Sequence, residues 1–283
     1  APPSGGDARL PASPAATESR PQWSPDGRRL AFASTRTGSG DVYVLTLDTG
    51  DLSRLTWDDA PEQVDGWSAD GGWIYFTSNS RDIAGMNDVL RVRSTGGTPL
   101  PFSDDRYTSE FFAGPSPVDP GLVALSVRGN AAAQGWGRGH SHLDESEIWL
   151  VGPVQRTQEI IENNGGRKTV PINTHLSVKV VDRGAKALWP MWSADGKQLY
   201  FMSDRDGVEN IWMTPDMPGD RKPQRVTNFK DGRVLWPTIS RDGQTIAFER
   251  NFGIWTFNTA TAKAAELRVR RLGAPAATTV AHR

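Results

Sequence analysis

The sequence predicts an all-β fold, a β-propeller built from four-stranded antiparallel blades. An aromatic strand that ends in an Asp-Gly pair and continues into a second strand recurs along the chain, and Asp-Gly between apolar runs is a strong hairpin signal. The spacing fits a blade, since Asp26 and Asp70 lie 44 residues apart and Asp195 and Asp242 lie 47 apart. No segment keeps a helical apolar period over three turns.

The repeats share one order of elements: a first strand, the Asp-Gly turn, an apolar strand, a polar turn and a third strand. The clear copies read WSPDG, WSADG, WSADG and ISRDG, and they start at Trp23, Trp67, Trp192 and Ile239. A degenerate copy fills the gap after the second. Its turn is enlarged to Asp119-Pro120-Gly121, its second strand covers 122–126 and its third covers 147–151.

We expect five repeats, at about 22–57, 58–104, 105–185, 186–229 and 230–272. Residues 1–21 and 273–283 are rich in small residues and proline, and we predict a flexible leader and a flexible tail there. The third repeat exceeds the period, and loops at 128–145 and 154–173 would hold the excess before a fourth strand begins at Leu176. The count leaves open a five-bladed ring, a sixth blade assembled from the termini, or an incomplete ring.

A four-stranded sheet that is apolar on both faces needs a neighbour on each side, and radial stacking supplies both. Tryptophan at the start of the first strand would contribute much of the contact area between blades. The turn pairs Ser34/Arg36 and Ser203/Arg205 would hold their turns and pair with a carboxylate on the next blade.

These hairpins, with their Ser-x-Arg turns and Ile-Trp strands, resemble the propeller repeats of TolB and of tricorn-type peptidases. The stretches at 59–89, 139–150, 184–205 and 231–255 are similar to the N-terminal propeller of bacterial tricorn-like, TolB-like proteins. The resemblance covers roughly residues 20–275. It implies a non-catalytic module, because peptide hydrolysis in that family belongs to a C-terminal serine-peptidase module that follows together with a PDZ domain.

The resemblance further implies that the chain binds a peptide or a partner protein and gates substrate for a tricorn-type peptidase, its own missing C-terminal module included. The chain would then be a fragment or a stand-alone propeller. Family and leader composition favour a periplasmic or secreted location, while the sequence leaves a cytoplasmic one open. A TolB-like scaffold that binds partner proteins in the cell envelope is an alternative.

The composition limits the kinds of partner and chemistry that the chain can have. A net charge of -1 gives no basic footprint for nucleic acid, and no run approaches 18 apolar residues, so we expect no membrane span. The chain has no cysteine, which excludes disulfides and thiolate chemistry. No Gly-x-Ser-x-Gly motif is present, so we predict no catalytic residue, and we predict no cofactor.

One stretch could hold a metal ion. In GHSHLDE, the alternation of an extended segment places His140, His142 and Asp144 on one side, and these are ligands that suit zinc or manganese. A metal-dependent propeller lyase or hydrolase that uses this loop is therefore an alternative function. The simpler interpretation is a polar loop whose histidines bond neighbouring backbone and carboxylates.

The binding candidates lie where loops of a propeller converge on one face. Trp189-Pro190 and Trp236-Pro237 occupy matching places, three residues before Trp192 and Ile239. The predicted set that would line a mouth for peptide segments consists of Arg128, Arg138, His140, His142, Trp189 and Trp236. Equally, Trp-Pro would serve only to stiffen the start of the first strand.

Overall fold

The computed structural model describes residues 16–105, 107–129, 136–137, 140–141, 145–161, 165–181, 184–217 and 222–267. Throughout these residues the regular structure is β-strand, and the predicted all-β class is confirmed. The described ranges contain no helix long and apolar enough to cross a membrane.

Five four-stranded antiparallel sheets form a five-bladed propeller. The four main strands of each blade pair in chain order, and in blade 3 a short separate hairpin is inserted between the second and third of them. The strands are β1 (Glu18–Trp23), β2 (Arg29–Ser34), β3 (Asp41–Thr46) and β4 (Leu52–Arg54) in blade 1; β5 (Glu62–Trp67), β6 (Trp73–Ser78), β7 (Asp88–Arg93) and β8 (Leu100–Ser103) in blade 2; β9 (Thr108–Pro115), β10 (Val123–Gly129), the inserted β11 (Trp136–Gly137) and β12 (His140–Ser141), β13 (Glu147–Ile161) and β14 (Arg167–Val181) in blade 3; β15 (Ala187–Trp192), β16 (Leu199–Ser203), β17 (Asn210–Thr214) and β18 (Gln224–Arg225) in blade 4; and β19 (Leu235–Ile239), β20 (Thr245–Arg250), β21 (Gly253–Asn258) and β22 (Lys263–Leu267) in blade 5.

The Asp-Gly turns join the first two strands of four blades in one way. In blade 1, Ser24 Oγ donates to Asp26 Oδ1 and accepts from the N–H of Arg29 at 2.9 Å, which closes the hairpin. Gly27 sits at a φ of +71°, where a residue with a Cβ would be strained. Serine and aspartate repeat these bonds in the later WSADG and ISRDG turns, so the local sequence fixes the hairpin without help from other blades.

Apolar clusters fill the spaces between consecutive blades. Val44 and Ile74 belong to the cluster between blades 1 and 2, and equivalent clusters lie between blades 2 and 3, 3 and 4, and 4 and 5. Each residue buried in this way contributes roughly 1.5–3 kcal/mol. The sheets therefore depend on their neighbours.

Tryptophans of the first strands join blades by hydrogen bonds. Trp67 Nε1 donates to Gln22 O at 2.9 Å, and Trp192 Nε1 donates to Gly114 O at 2.8 Å, so each indole bonds the innermost strand of the preceding blade. Trp67 and Trp192 are buried, as expected of residues between blades. The expectation is wrong for Trp23, which is 62% exposed.

Strands β13 and β14 run much longer than their counterparts. The pairing of β10 with β13 ends at Val151, whereas the pairing of β13 with β14 continues to Ile161 opposite Arg167. The region 154–173, predicted as a polar loop before a strand at Leu176, is therefore mostly a two-stranded extension. The sequence between the two strands contains Asn164-Gly165, a hairpin signal that the prediction of a loop did not use.

The predicted leader ends too late, because β1 begins at Glu18 rather than after residue 21. A proline such as Pro21 is usually unfavourable inside a strand because it lacks an N–H. Here it lies within the irregularity of β1 between Ser19 and Gln22, where the hydrogen-bond pattern with β2 is interrupted.

The Ser-x-Arg turns follow the prediction in part. Arg36 Nε donates to Ser34 Oγ at 2.9 Å and so holds the turn, but its ion pair at 2.7 Å is with Glu18 on the same blade. The prediction of a partner on the next blade is wrong for Arg36, because Glu18 stands opposite Ser34 in the pairing of β1 with β2.

Candidate ligand-binding site at the central cavity

The innermost strands of four blades carry the same irregularity. Two residues of the first strand stand opposite one residue of the second, a β-bulge, in blades 1, 3, 4 and 5. The first residue of each bulge is not glycine and has positive φ. These residues are Arg20 at 55°, Phe112 at 55°, Trp189 at 56° and Trp236 at 52°.

Such a backbone conformation costs an ordinary residue about 1–2 kcal/mol. It persists only where the surroundings hold it, and it concentrates at functional sites. In three of the four bulges a proline follows, as in Trp189-Pro190, and its missing N–H matters little where the ladder is interrupted. The bulge turns its first residue toward the centre of the propeller.

A cavity of about 1030 Å³ opens there, lined by the first strands of all five blades. Its floor is aromatic. The rings of Phe112 and Trp189 stack with centroids 5.2 Å apart, and Trp189 meets Trp236 edge-on at 5.5 Å. Trp189 is buried, whereas Trp236 is 49% exposed.

Arg20 brings a positive charge onto this floor. Its Cζ lies 4.3 Å from the ring centroid of Trp236 and 5.0 Å from that of Phe112, which is cation–π geometry. With the Gln63 amide oriented so that its oxygen faces the guanidinium, Arg20 Nε and Nη2 donate to it at 3.2 and 2.6 Å. Burial lowers the pKa of Arg20, and the charge of Asp65 opposes that shift in part.

Blade 2 contributes a carboxyl group. Its bulge is of a different kind, with the single extra residue Asp65 between Val64 and Gly66. Asp65 Oδ2 accepts a hydrogen bond from Thr77 Oγ1 at 2.6 Å. Burial raises the pKa of Asp65 to about 7, against the effect of hydrogen bonds from Thr77 and from the Ala113 backbone. This carboxyl group therefore binds a proton more readily than an ordinary aspartate.

The structure brings two of the predicted binding residues together, Trp189 and Trp236. Arg128 lies on β10 with its Cζ 5.5 Å from the ring of Phe111, and it is not among the residues that line the cavity. His140 is paired through its backbone in the β11–β12 hairpin. Arg138, His142 and Asp144 lie outside the described residues.

The described residues include no group of three or more histidine, aspartate or glutamate side chains placed to hold a metal ion. Because two of the three proposed ligands lie outside those residues, the metal hypothesis stays a prediction.

Sequence reasoning missed Arg20, Asp65 and Phe112. A signal for Arg20 was present, since Arg20-Pro21 precedes Trp23 by the spacing at which Trp189-Pro190 precedes Trp192. The degenerate third repeat hid Phe112. Asp65 had no such signal, because its bulge differs from the others.

Comparison with known proteins agrees with this architecture. Residues 1–263 match the family described as the tricorn protease N-terminal beta propeller domain. The chain belongs to this family. Over 242 residues it is 40% identical to Tricorn protease homolog 1 of Streptomyces coelicolor, covering 84% of this chain and 20% of that protein. It is 33% identical over 104 residues to the uncharacterized protein Atu1656 of Agrobacterium fabrum, covering 37% of this chain and 34% of that one.

Two solved structures share the fold. A putative TolB from Agrobacterium tumefaciens aligns with a TM-score of 0.63 at 18% identity, over 88% of this chain and 80% of that one. The tricorn protease aligns with a TM-score of 0.63 at 20% identity, over 94% of this chain and 24% of that one. The matched part of this tricorn propeller family member thus spans 20% of Tricorn protease homolog 1 and 34% of Atu1656.

Proposed function

We propose that the chain is a non-catalytic binding module whose central cavity holds an extended peptide or protein segment. The observation that carries the proposal is that four blades each hold a non-glycine residue at positive φ at the same inner position, around one cavity. Sheet stability alone does not require this strain, whereas a surface that must present side chains to a ligand does.

The chemistry of the cavity suits a peptide. The exposed part of Trp236 gives contact area to apolar side chains, and Arg20 and Gln63 add polar groups to the lining of the cavity. Within a longer tricorn-type protein, such a module would gate or deliver substrate to a peptidase module. Family membership supports this role, and we propose a periplasmic or secreted location with it.

The test is binding to an array of random-sequence peptides of eight to twelve residues. We expect binding by the unaltered chain, and about tenfold weaker binding by Trp236→Ala, because loss of a contact ring removes roughly 1–2 kcal/mol. Trp57→Ala is the matched control, since Trp57 is also exposed but does not line the central cavity. Equal losses in both variants, or no peptide binding at all, would refute the proposal.

A further inference from the structure

We propose that Arg20 is the receptor for a carboxylate group, so that the central cavity selects segments in which an acidic group lies beside an apolar side chain. This inference rests on the proposed function and adds to it the chemical class of the ligand.

The positive charge of Arg20 is not balanced by the groups that contact it. Arg20 has no carboxylate within 4.0 Å among the described residues, and its neighbours are the rings of Trp236 and Phe112 and the amide of Gln63. These neighbours hold the guanidinium in place without neutralising it. A partly desolvated cation that faces an open cavity gains most from an anionic ligand.

Asp65 is excluded as the permanent partner. Its oxygens are engaged by Thr77 and by the backbone N–H of Ala113, and they make no ion pair with Arg20. Because its pKa is raised to about 7, the group carries only part of a negative charge at neutral pH. The positive charge of Arg20 is therefore left for a ligand to balance.

The two edges of the Arg20 guanidinium differ in their hydrogen bonds. Nε and Nη2 lie on one edge of a guanidinium, and in Arg20 that edge faces Gln63. The other edge, formed by Nη1 and the second N–H of Nη2, makes no hydrogen bond within the described part of the chain. Two parallel N–H groups on one edge match the two oxygens of a carboxylate, a bidentate arrangement that is both strong and directional.

A cationic ligand is excluded. Aromatic rings gathered around a cavity commonly bind ammonium groups. Here Arg20 already occupies that position, 4.3 Å from one ring centroid and 5.0 Å from another, and it would repel a second cation. The exposed part of the Trp236 side chain is left for an apolar side chain next to the acidic group.

The test uses one peptide frame, acetyl-Ala-Phe-X-Ala-Ala-amide, with glutamate, glutamine or lysine at X, measured by titration calorimetry. We expect the glutamate peptide to bind about tenfold more tightly than the glutamine peptide, as charge-assisted hydrogen bonds predict, and the lysine peptide to bind most weakly. A glutamine peptide with a free terminal carboxylate distinguishes an acidic side chain from a chain end as the source of the group.

Variants locate the receptor. Arg20→Gln should abolish the preference for glutamate over glutamine, and Arg20→Lys should keep part of it, since lysine retains the charge but not the fork. Arg225→Gln is the control, because Arg225 pairs with Asp206 outside the cavity. Arg241→Gln tests a second arginine that lines the cavity, and loss of the preference there instead would overturn the assignment to Arg20. Thermal unfolding of each variant checks that it folds.

The two proposals fail differently. If all peptides bind equally and Trp236→Ala weakens them equally, the carboxylate inference is wrong and the peptide-binding function stands. If none of the peptides, and none of the random array, binds the unaltered chain, the proposed function is wrong and the inference falls with it.

Discussion

Three copies of one sequence motif meet different surroundings in this propeller. The indoles of Trp67 and Trp192 are 7% and 6% exposed and bond the backbone of the preceding blade, whereas Trp23 is 62% exposed. The glycines of the same hairpins repeat the contrast. A Cβ on Gly71 would lie 3.6 Å from Pro25 of the preceding blade, while nothing lies within 4 Å of Gly27.

The motif therefore specifies its own turn, but it does not determine whether its tryptophan is buried. The serine–aspartate bonds that close the hairpin are present in every copy, because they depend on residues within five positions of each other. The burial of the tryptophan depends on the blade that precedes it. The tryptophan of this motif is therefore a structural residue in blades 2 and 4 and a surface residue in blade 1.

Removal of the tryptophan side chains should separate the buried copies of the motif from the exposed copy. Trp192→Ala should lower the free energy of unfolding by about 3–5 kcal/mol, because it leaves a cavity between blades and an unpaired carbonyl. Trp23→Ala should change it by less than about 1 kcal/mol. Chemical denaturation followed by circular dichroism measures both, and similar losses in the two variants would contradict the distinction.

A milder change isolates the hydrogen bond. Trp67→Phe keeps an aromatic ring but removes the N–H that Gln22 O accepts, and we expect a loss of about 1–3 kcal/mol. Trp23→Phe is the matched variant, and its unfolding free energy should stay within about 0.5 kcal/mol of the parent. If Trp67→Phe proves neutral, ring packing alone joins these blades.

The seams between blades also differ in how they hold charge. Glu110 of β9 is fully buried, and one of its oxygens lacks a hydrogen-bond partner in the described structure. Burial raises its pKa to about 8, and burial raises that of Glu62 of β5 to about 7. Between blades 4 and 5, by contrast, Glu209 accepts from Lys186 Nζ and Arg233 Nε, both at 3.3 Å.

The raised pKa values predict an unusual dependence of stability on pH. The folded chain keeps these protons at pH values where the unfolded chain has lost them, so the stability they contribute is full below about pH 4 and falls as pH rises toward 8. Each such group contributes at most about 1.4 kcal/mol per pH unit. The midpoint of urea unfolding should therefore increase from pH 8 to pH 6.

Glu110→Gln should make this dependence shallower, because an amide stays neutral throughout. Glu266→Gln, on the exposed strand β22, serves as the control and should leave the dependence unchanged. A midpoint that falls on acidification from pH 8 to pH 6, or a slope that Glu110→Gln does not alter, would contradict the prediction.

The features that sequence reasoning found are those set by neighbouring residues. The Asp-Gly turns and the strands on either side of them follow from local hydrogen bonding and alternation, and the matching places of Trp189 and Trp236 follow from counting back from the turn. Arg20 was missed because it lies within residues 1–21, which were predicted to form a flexible leader. Asp65 was missed because the burial that raises its pKa, and the hydrogen bonds from Thr77 and the Ala113 backbone that oppose this shift, arise from the packing of separate strands.

The bulges also affect how easily the residues that line the central cavity can be substituted. A residue that stands outside the hydrogen-bond ladder can be replaced without disturbing strand register. At the half-exposed Trp236 the cost of a new side chain therefore falls mainly on its own backbone conformation, whereas replacement of the buried Trp189 also removes packing. A combinatorial library at 20, 112 and 236 would vary three blades at once and would leave the buried Trp189 and the hydrogen-bonded Asp65 in place. Excluding valine, isoleucine and threonine at these three left-handed positions would keep most members foldable.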